Sequence, residues 1–181
     1  IAVQASVDRL PFADRAFELV TCCDVLEHLP EPVYLATLQE LMRVTSRYLL
    51  INVPLDEDLA WSLHRCAACG EVFHRDHHQR SFRPGDIDEL LPAHRFRRLA
   101  RQTTGWKTRR LGPLPPRLGA ALALGHSTES RCPRCGQPPG PLPPFQRRLR
   151  DGLVFAHNAL TRPLRGRLTR DTEVVALYQR L

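Results

Sequence analysis

The fold of this chain is decided by residues 17–54, which read FELVTCCDVLEHLPEPVYLATLQELMRVTSRYLLINVP. Residues 17–23 and 48–53 are short apolar runs, typical of strands that are buried on both faces. Between them, Glu31 and Pro32 begin a helix, because proline is tolerated at the first helical position. An apolar stripe along this helix is formed by Tyr34, Leu38, Leu41 and Met42. A strand, a helix and a strand with short connections predict a βαβ unit in a parallel α/β sheet.

The same pattern indicates which edge of the sheet is functional. In open sheets of this kind, ligands bind beyond the carboxyl ends of the strands. The segments that follow the two predicted strands are Asp24–His28 and Pro54–Asp58. We therefore expect the functional groups of the sheet in these two segments.

Length and composition are those of a globular protein. The chain has 181 residues, of which 43% are hydrophobic, enough for one domain with an elaboration. No run approaches the 18 apolar residues of a membrane-spanning helix, and we expect a cytoplasmic protein.

Charge is spread unevenly along the chain. Residues 1–60 contain 4 Lys+Arg and 10 Asp+Glu, a net of −6, whereas residues 61–181 contain 22 and 9, a net of +13. A basic half is compatible with nucleic acid, a phosphate-bearing substrate or an anionic membrane surface. The alternation of arginines with aromatic residues that is typical of a base-stacking groove is not evident. We therefore favour an ordinary solvated surface over a nucleic-acid interface.

Four of the six cysteines form two copies of the motif CxxCG, at residues 66–70 and 132–136, which we call the first and the second cysteine knuckle. A two-residue gap lets both thiolates of one copy face one ion, and the glycine permits a tight turn that aims backbone N–H groups at sulfur. Two copies predict a closed tetrahedral zinc site, which is structural because no coordination position is left open. The expected ligands are Cys66, Cys69, Cys132 and Cys135. Two disulfides or two unrelated turns are the alternatives. The remaining Cys22 and Cys23 lie in the first predicted strand, and we expect them to be inert core residues.

Residues 111–170 interrupt the pattern of strands and helices. Nine of the chain's 16 prolines fall in residues 113–144, which favours turns and extended chain. Residues 145–160 carry an apolar stripe on one side and arginines on the other, which predicts an amphipathic helix. Our preferred role for this helix is to cover the mouth of a substrate site, ahead of binding a partner or lying on a membrane surface.

Short motifs connect the chain with a known family. The sequence LPF at residues 10–12 is followed by an acid and then by Phe17, and the first predicted strand leads into DVLEH at residues 24–28. With these motifs the chain closely resembles the second half of a class I S-adenosylmethionine-dependent methyltransferase of the small-molecule type. The resemblance implies an α/β fold with the second half only of a Rossmann-like methyltransferase sheet, and a zinc-knuckle and helical insertion before the last strand.

The resemblance also implies a domain organisation. Residues 1–110 are the methyltransferase core without its first βαβ unit, residues 111–170 are the insertion with the second knuckle, and residues 171–181 are the final core strand. Residues 97–106 and 172–178 resemble the sixth and seventh strands of the family, which close the sheet as an antiparallel pair. The glycine loop and the ribose-binding acid of the family are not in the sequence. We therefore expect an N-terminally truncated fragment that is inactive and binds S-adenosylmethionine weakly on its own.

Cofactor and catalytic residues are implied by the same resemblance. The residues expected against the cofactor are Ser6, Val7 and Asp8 at its adenine end, and Asp24, Val25 and Leu26 at its methionine end. Ser6 stands where an adenine-binding Asp is frequent in the family. The candidate general bases are His28, His77 and His78, with Asp24 as an orienting carboxylate.

The Glu27-His28 pair resembles a feature of two groups of relatives. It is shared with quinone-biosynthesis O-methyltransferases and with a small-RNA 3′-end methyltransferase, in which a similar segment binds a divalent metal. The alternative is a charge at a helix start beside a packing imidazole.

Three functions remain open from the sequence. The preferred one is S-adenosylmethionine-dependent methyl transfer to a hydroxyl or amine of a small molecule or glycan, with a structural zinc. The second is an RNA or protein methyltransferase whose zinc module and basic half recruit the macromolecule. The third is a non-enzymatic binding protein on a degenerate methyltransferase fold.

Overall fold

The computed structural model describes residues 2–104, 107–108, 130–138, 142–161 and 169–181. Its helices are α1 (Glu31–Val44), α2 (Pro84–Asp88) and α3 (Pro144–Thr161). Its strands are β1 (Phe17–Cys23), β2 (Thr45–Pro54), β3 (Leu63–Arg65), β4 (Val72–His74), β5 (Phe96–Thr104), β6 (Lys107–Thr108), β7 (Thr169–Arg170) and β8 (Glu173–Arg180). Among these residues, no helix combines the length and the apolar character that a membrane crossing requires.

The described chain divides into two compact units. The first contains Ile1–Glu57, Gln79–Gly105 and Asp171–Leu181, and the second contains Asp58–His78 and Trp106–Arg170. The segment with the first cysteine knuckle groups with the insertion in this division, and the predicted boundaries at 110 and 170 stay a prediction. Much of the predicted insertion, residues 109–129, lies outside the described residues.

The first unit is built on a four-stranded sheet in the order β1-β2-β8-β5. β1 and β2 are parallel, and α1 connects them, which confirms the predicted βαβ unit. β8 is antiparallel to both β2 and β5, so the predicted closing pair of antiparallel strands is also confirmed. This pair places β8 inside the sheet and leaves β5 at its edge.

The core of the first unit follows from the alternation of residues along β2. Leu49, Ile51 and Val53 are almost completely buried, as expected for one face of a pleated strand. The α1 stripe contributes Leu38, Leu41 and Met42 to the same cluster. On β8, the buried Tyr178 donates its hydroxyl hydrogen to the carbonyl of Ile87 in α2 at 2.5 Å.

The prediction that β1 is buried on both faces is wrong. Phe17 and Leu19 keep 39% and 54% of their surface exposed, and Cys22 is the one residue of β1 that is buried. The cause is that β1 pairs only with β2 among the described strands and forms an edge of the sheet. Cys23 is exposed, so the core role predicted for it is also wrong. Cys22 lies in the core, and burial raises the pKa of its thiol to about 12.

The second unit holds short elements around the first cysteine knuckle. β3 and β4 form an antiparallel hairpin, with the knuckle in its turn, and β6 pairs with β7. The helix predicted at residues 145–160 is observed as α3, and its Phe145 and Phe155 are exposed. The buried apolar cluster described in this unit consists of Cys66, Phe73 and Cys132.

Candidate active site and metal centre

A pair of polar side chains joins the carboxyl ends of β1 and β2. Asp24, which follows β1, donates its backbone N–H to the Asn52 carbonyl at 3.1 Å. Asn52 Nδ2 donates to Asp24 Oδ1 at 3.2 Å. Asn52 Oδ1 is inaccessible to solvent and accepts no hydrogen bond from the residues that the structure describes. The edge that the sequence marked as functional therefore carries a carboxylate and an acceptor oxygen.

The backbone of Asp24 has an uncommon conformation. Its φ is 52°, in the left-handed region that few residues other than glycine adopt. Such conformations persist where the surroundings impose them, and they cluster at functional sites. In this chain the hydrogen bonds with Asn52 hold Asp24 in place.

The turn that follows, Leu26–His28, is fixed by a later segment of the same unit. The Gln79 backbone N–H donates to the Glu27 carbonyl at 2.7 Å, and Gln79 Nε2 donates to the His28 carbonyl at 2.8 Å. A second anchor comes from Arg80, whose guanidinium donates to the carbonyl of Leu29, directly after this turn, at 2.6 Å. These contacts hold the post-strand loop against the segment before α2.

His28 is the predicted catalytic residue that lies in the first unit. Its side chain keeps 39% of its surface exposed, and its Nε2 lies 3.8 Å from Oε1 of Glu27, a carboxylate that is 1% exposed. An imidazole in this position is open to solvent on one side and has an acid on the other. Glu27 is the acid whose carboxyl oxygen lies near this imidazole, and the predicted roles of His28 as general base and of Asp24 as its orienting carboxylate stay predictions.

His77 and His78 belong to the second unit. The His77 ring stacks on Phe73, with centroids 5.6 Å apart, and its backbone φ is 59°. The His78 ring stacks on His74 at 4.8 Å, and the His78 N–H donates to His74 Nδ1 at 3.2 Å. Both rings therefore have packing contacts within the knuckle unit, and their predicted role as bases stays a prediction.

Ser6, Val7 and Asp8 form a tight turn in the first unit. The Ser6 hydroxyl donates to the Asp8 carboxylate, and the Arg9 N–H donates to the Ser6 carbonyl at 3.1 Å. The Ser6 hydrogen bond holds the pKa of Asp8 below its ordinary value. Among the described contacts, none links this turn with residues 24–26, so the two halves of the predicted cofactor site stay a prediction.

The four motif cysteines converge in the second unit. Their sulfur atoms all lie within 4.8 Å of one another. Cys66 Sγ is 3.6 Å from Cys135 Sγ, and Cys69 Sγ is 3.6 Å from Cys132 Sγ. All four are free thiols, which argues against the disulfide alternative. The N–H of Cys69 is the main cause that lowers the pKa of the Cys66 thiol to about 7.

Comparisons with known proteins give this geometry a context. Residues 1–48 match the family model described as a methyltransferase domain. A protein of Bacillus halodurans C-125, whose crystal structure is described as that of a candidate methyltransferase, aligns over 99% of this chain and 76% of its own, with a TM-score of 0.51 and 16% sequence identity. The chain has the class I methyltransferase fold. No curated protein matches the sequence.

One residue that positions the N-terminal part of this methyltransferase fold was missed from the sequence. Arg43 of α1 uses all five N–H donors of its guanidinium. It binds the carbonyls of Leu10 and Phe12 at 3.0 and 2.7 Å, Asp14 at 2.8 Å, and both carboxylate oxygens of Glu40 at 2.7 and 2.9 Å. The LPF motif is therefore held by its backbone. The i,i+3 spacing of Glu40 and Arg43 was the available signal.

Glu40 completes the set of hydrogen bonds that Arg43 makes with residues 10–14, which we call the Arg43 clamp. It accepts the backbone N–H of Leu10 at 2.7 Å, and its ion pair with Arg43 is closed at 2.7 Å. The Arg43 hydrogen bond is the largest cause that lowers the pKa of Glu40, to about 2. The segment before β1 is thus attached to α1 by charge-assisted hydrogen bonds, which are stronger than neutral ones.

Proposed function

We propose that the protein transfers a methyl group from S-adenosylmethionine to a hydroxyl or amine of a small molecule or glycan. The observation that carries this proposal is the Asp24–Asn52 pair at the carboxyl ends of two parallel strands in a class I methyltransferase fold. Ligands of such sheets bind at this edge. The match of residues 1–48 to a methyltransferase domain supports the same reading.

The Asp24 carboxylate at this edge suits S-adenosylmethionine. The α-amino group of the cofactor is a hydrogen-bond donor, and the exposed Asp24 carboxylate is an acceptor. Asn52 Nδ2 donates to the same carboxylate and so holds it in place. On this proposal Asp24, Val25 and Leu26 hold the methionine end, and Ser6, Val7 and Asp8 hold the adenine end.

When bound, the cofactor supplies a sulfonium methyl group that is ready for displacement. The protein's part is to hold the acceptor in line with the methyl group and to accept its proton. His28 is our choice for the proton acceptor, because its ring is partly exposed and has the Glu27 carboxylate beside it.

A small acceptor is preferred to a nucleic acid because the alternation of arginines with aromatic residues that is typical of a base-stacking groove is not evident in the sequence.

Methyl transfer can be tested on the protein at its full natural length with S-adenosylmethionine that is tritiated in its methyl group. Label is expected in small-molecule or glycan hydroxyl and amine acceptors, and His28→Ala is expected to lower kcat by about 10²–10⁴-fold, the usual worth of a general base. His94→Ala is the matched control, because His94 is an exposed histidine of the same unit. Label that enters only RNA or protein would overturn the proposed acceptor class, and no transfer to any class would overturn the reaction.

A further inference from the structure

We propose that the four converging thiolates bind one zinc ion, and that this ion, in place of an apolar core, keeps the second unit folded. This inference goes beyond methyl transfer and is independent of it. It assigns a structural metal site to Cys66, Cys69, Cys132 and Cys135.

Two of the sulfur–sulfur distances are close to those of a tetrahedron around zinc. A Zn–S distance of about 2.3 Å requires sulfurs about 3.8 Å apart in a regular tetrahedron. The pairs Cys66–Cys135 and Cys69–Cys132 are both 3.6 Å apart, and all four sulfurs lie within 4.8 Å of one another. A disulfide would need a distance of about 2.05 Å. Both close pairs join one knuckle with the other, as expected when four ligands surround one ion.

The two knuckles have the same backbone structure. Gly70 N–H donates to the Cys66 carbonyl and Gly136 N–H donates to the Cys132 carbonyl, both at 2.9 Å. The two glycines have φ values of 76° and 70°, where a side chain would be strained. The structure thus builds the same ligand-presenting turn twice, from sequences that share only the RCxxCG pattern.

The arginine before each knuckle repeats the same contact. Arg65 donates to the Gly70 carbonyl at 3.0 Å, and Arg131 donates to the Gly136 carbonyl at 3.4 Å. A contact that recurs at equivalent positions of both motifs supports a common role for them. We assign to these arginines the closing of each turn around its pair of sulfurs.

The described part of the second unit has a small buried apolar cluster. Its described buried apolar cluster contains Cys66, Phe73 and Cys132, so two of its three members are ligands of the proposed site. The two knuckles are separated by residues 70–131, a segment of 62 residues whose closure costs conformational entropy. A metal ion offsets this cost, and metal binding then becomes part of folding. Four protein ligands leave no open position, so the site is structural and not catalytic.

Metal content and hydrogen exchange of the whole protein test both parts of the proposal. The purified protein should contain about one zinc per chain. Cobalt exchanged into the site should give thiolate-to-metal charge-transfer absorption in the near ultraviolet. Removing zinc with a chelator should abolish exchange protection in residues 63–74 and 130–138 and leave that of residues 45–54 unchanged.

Single substitutions provide the matched comparison. Cys66→Ser and Cys132→Ser should lower the zinc affinity in a chelator competition at least about tenfold, because outer-shell changes alone cost about 10–100-fold in affinity. Cys23→Ser, an exposed cysteine of the first unit, should leave it unchanged. If a serine variant does not fold, the chelation experiment on the unmodified protein decides. Absence of metal, two intact disulfides, or protection that persists after zinc removal would each overturn the proposal.

Discussion

Replacing Asn52 by aspartate tests the geometry of the candidate active site. The substitution converts the amide group that now donates to Asp24 Oδ1 at 3.2 Å into a second carboxylate. Two carboxylates at such a distance repel each other, and one of the oxygens at position 52 is inaccessible to solvent. Both effects raise the pKa of the introduced carboxyl above the value of about 3.9 that it has in the unfolded chain.

The size of the effect follows from the distance and the exposure of the pair. Two unit charges about 4 Å apart repel by about 1 kcal/mol in water and by about 4 kcal/mol at an effective dielectric constant of about 20. Asp24 is exposed, so the value lies near the lower limit, about 1–2 kcal/mol. Loss of the hydrogen bond adds about 1 kcal/mol. We expect Asn52→Asp to lower the free energy of unfolding by about 2–3 kcal/mol at neutral pH.

The pH dependence distinguishes repulsion from simple loss of a contact. Because the pKa is higher in the folded state than in the unfolded state, the folded protein takes up the proton first as the pH falls. The penalty is therefore complete above the folded-state pKa and disappears as the pH approaches about 3.9. The control Asn52→Ala loses the same hydrogen bond but introduces no charge, so its cost of about 1 kcal/mol should not change with pH.

Urea unfolding followed by circular dichroism at about pH 7.5 and about pH 4.5 measures this difference. We expect the gap in the free energy of unfolding between Asn52→Asp and Asn52→Ala to narrow at the lower pH. If the difference in the free energy of unfolding between the two variants is the same at both pH values, Asp24 and position 52 are not adjacent, and the placement of the two residues is wrong.

Three further substitutions test other parts of the structure. Arg43→Lys should speed amide exchange of residues 10–14, because lysine cannot replace the five-donor fork of arginine. In the wild type, protonation of Glu40 lowers the free energy of unfolding as the pH falls from about 4.5 towards about 2, and this pH-dependent part should be lost in Arg43→Lys. Unchanged exchange would contradict the clamp. Tyr178→Phe should lower the free energy of unfolding by about 1–3 kcal/mol in thermal unfolding, because the buried Ile87 carbonyl loses its donor. The control Tyr48→Phe, at a half-buried position, should change it by less than about 0.5 kcal/mol. Equal effects of the two would contradict the placement of β8. Gly70→Ala should weaken zinc retention in a chelator competition, because alanine at a φ of 76° costs about 1–2 kcal/mol. Gly85→Ala, with a φ outside the left-handed region, should leave zinc retention unchanged, and equal retention in the two variants would contradict the proposed turn.

The sheet could be predicted because its pattern is local. Residues 17–54 contain two apolar runs and a helix with short connections, and those features alone indicate a parallel βαβ unit. The exposure of Phe17 and Leu19 could not be predicted, because it depends on which strands lie beside β1 and not on the composition of β1. The two-unit division has the same origin, since it depends on contacts between residues 58–78 and a segment far along the chain.

The candidate sites differ in how much of them the sequence contains. The convergence of the cysteines could be predicted because a two-residue spacing repeated with glycine has a direct geometric meaning. The Arg43 clamp could not, because its partners at Leu10 and Phe12 are backbone carbonyls more than 30 residues away, and backbone acceptors leave no trace in the sequence. Asn52 carried a weak signal, a polar residue within an apolar run at the end of a strand.

Calorimetric titration of S-adenosylmethionine into the protein at its full natural length tests whether this edge of the sheet is the cofactor site. We expect Asp24→Ala to weaken binding by about 5-fold or more, since it removes a hydrogen-bond acceptor worth about 1 kcal/mol. Asn52→Ala should also weaken binding, since it removes the donor that holds the Asp24 carboxylate. Glu18→Ala, which removes an exposed carboxylate of β1 that pairs with Arg47, should leave the affinity unchanged. Binding that is equally tight in all three variants, or no binding by the unmodified protein, would contradict the assignment of this edge as the cofactor site.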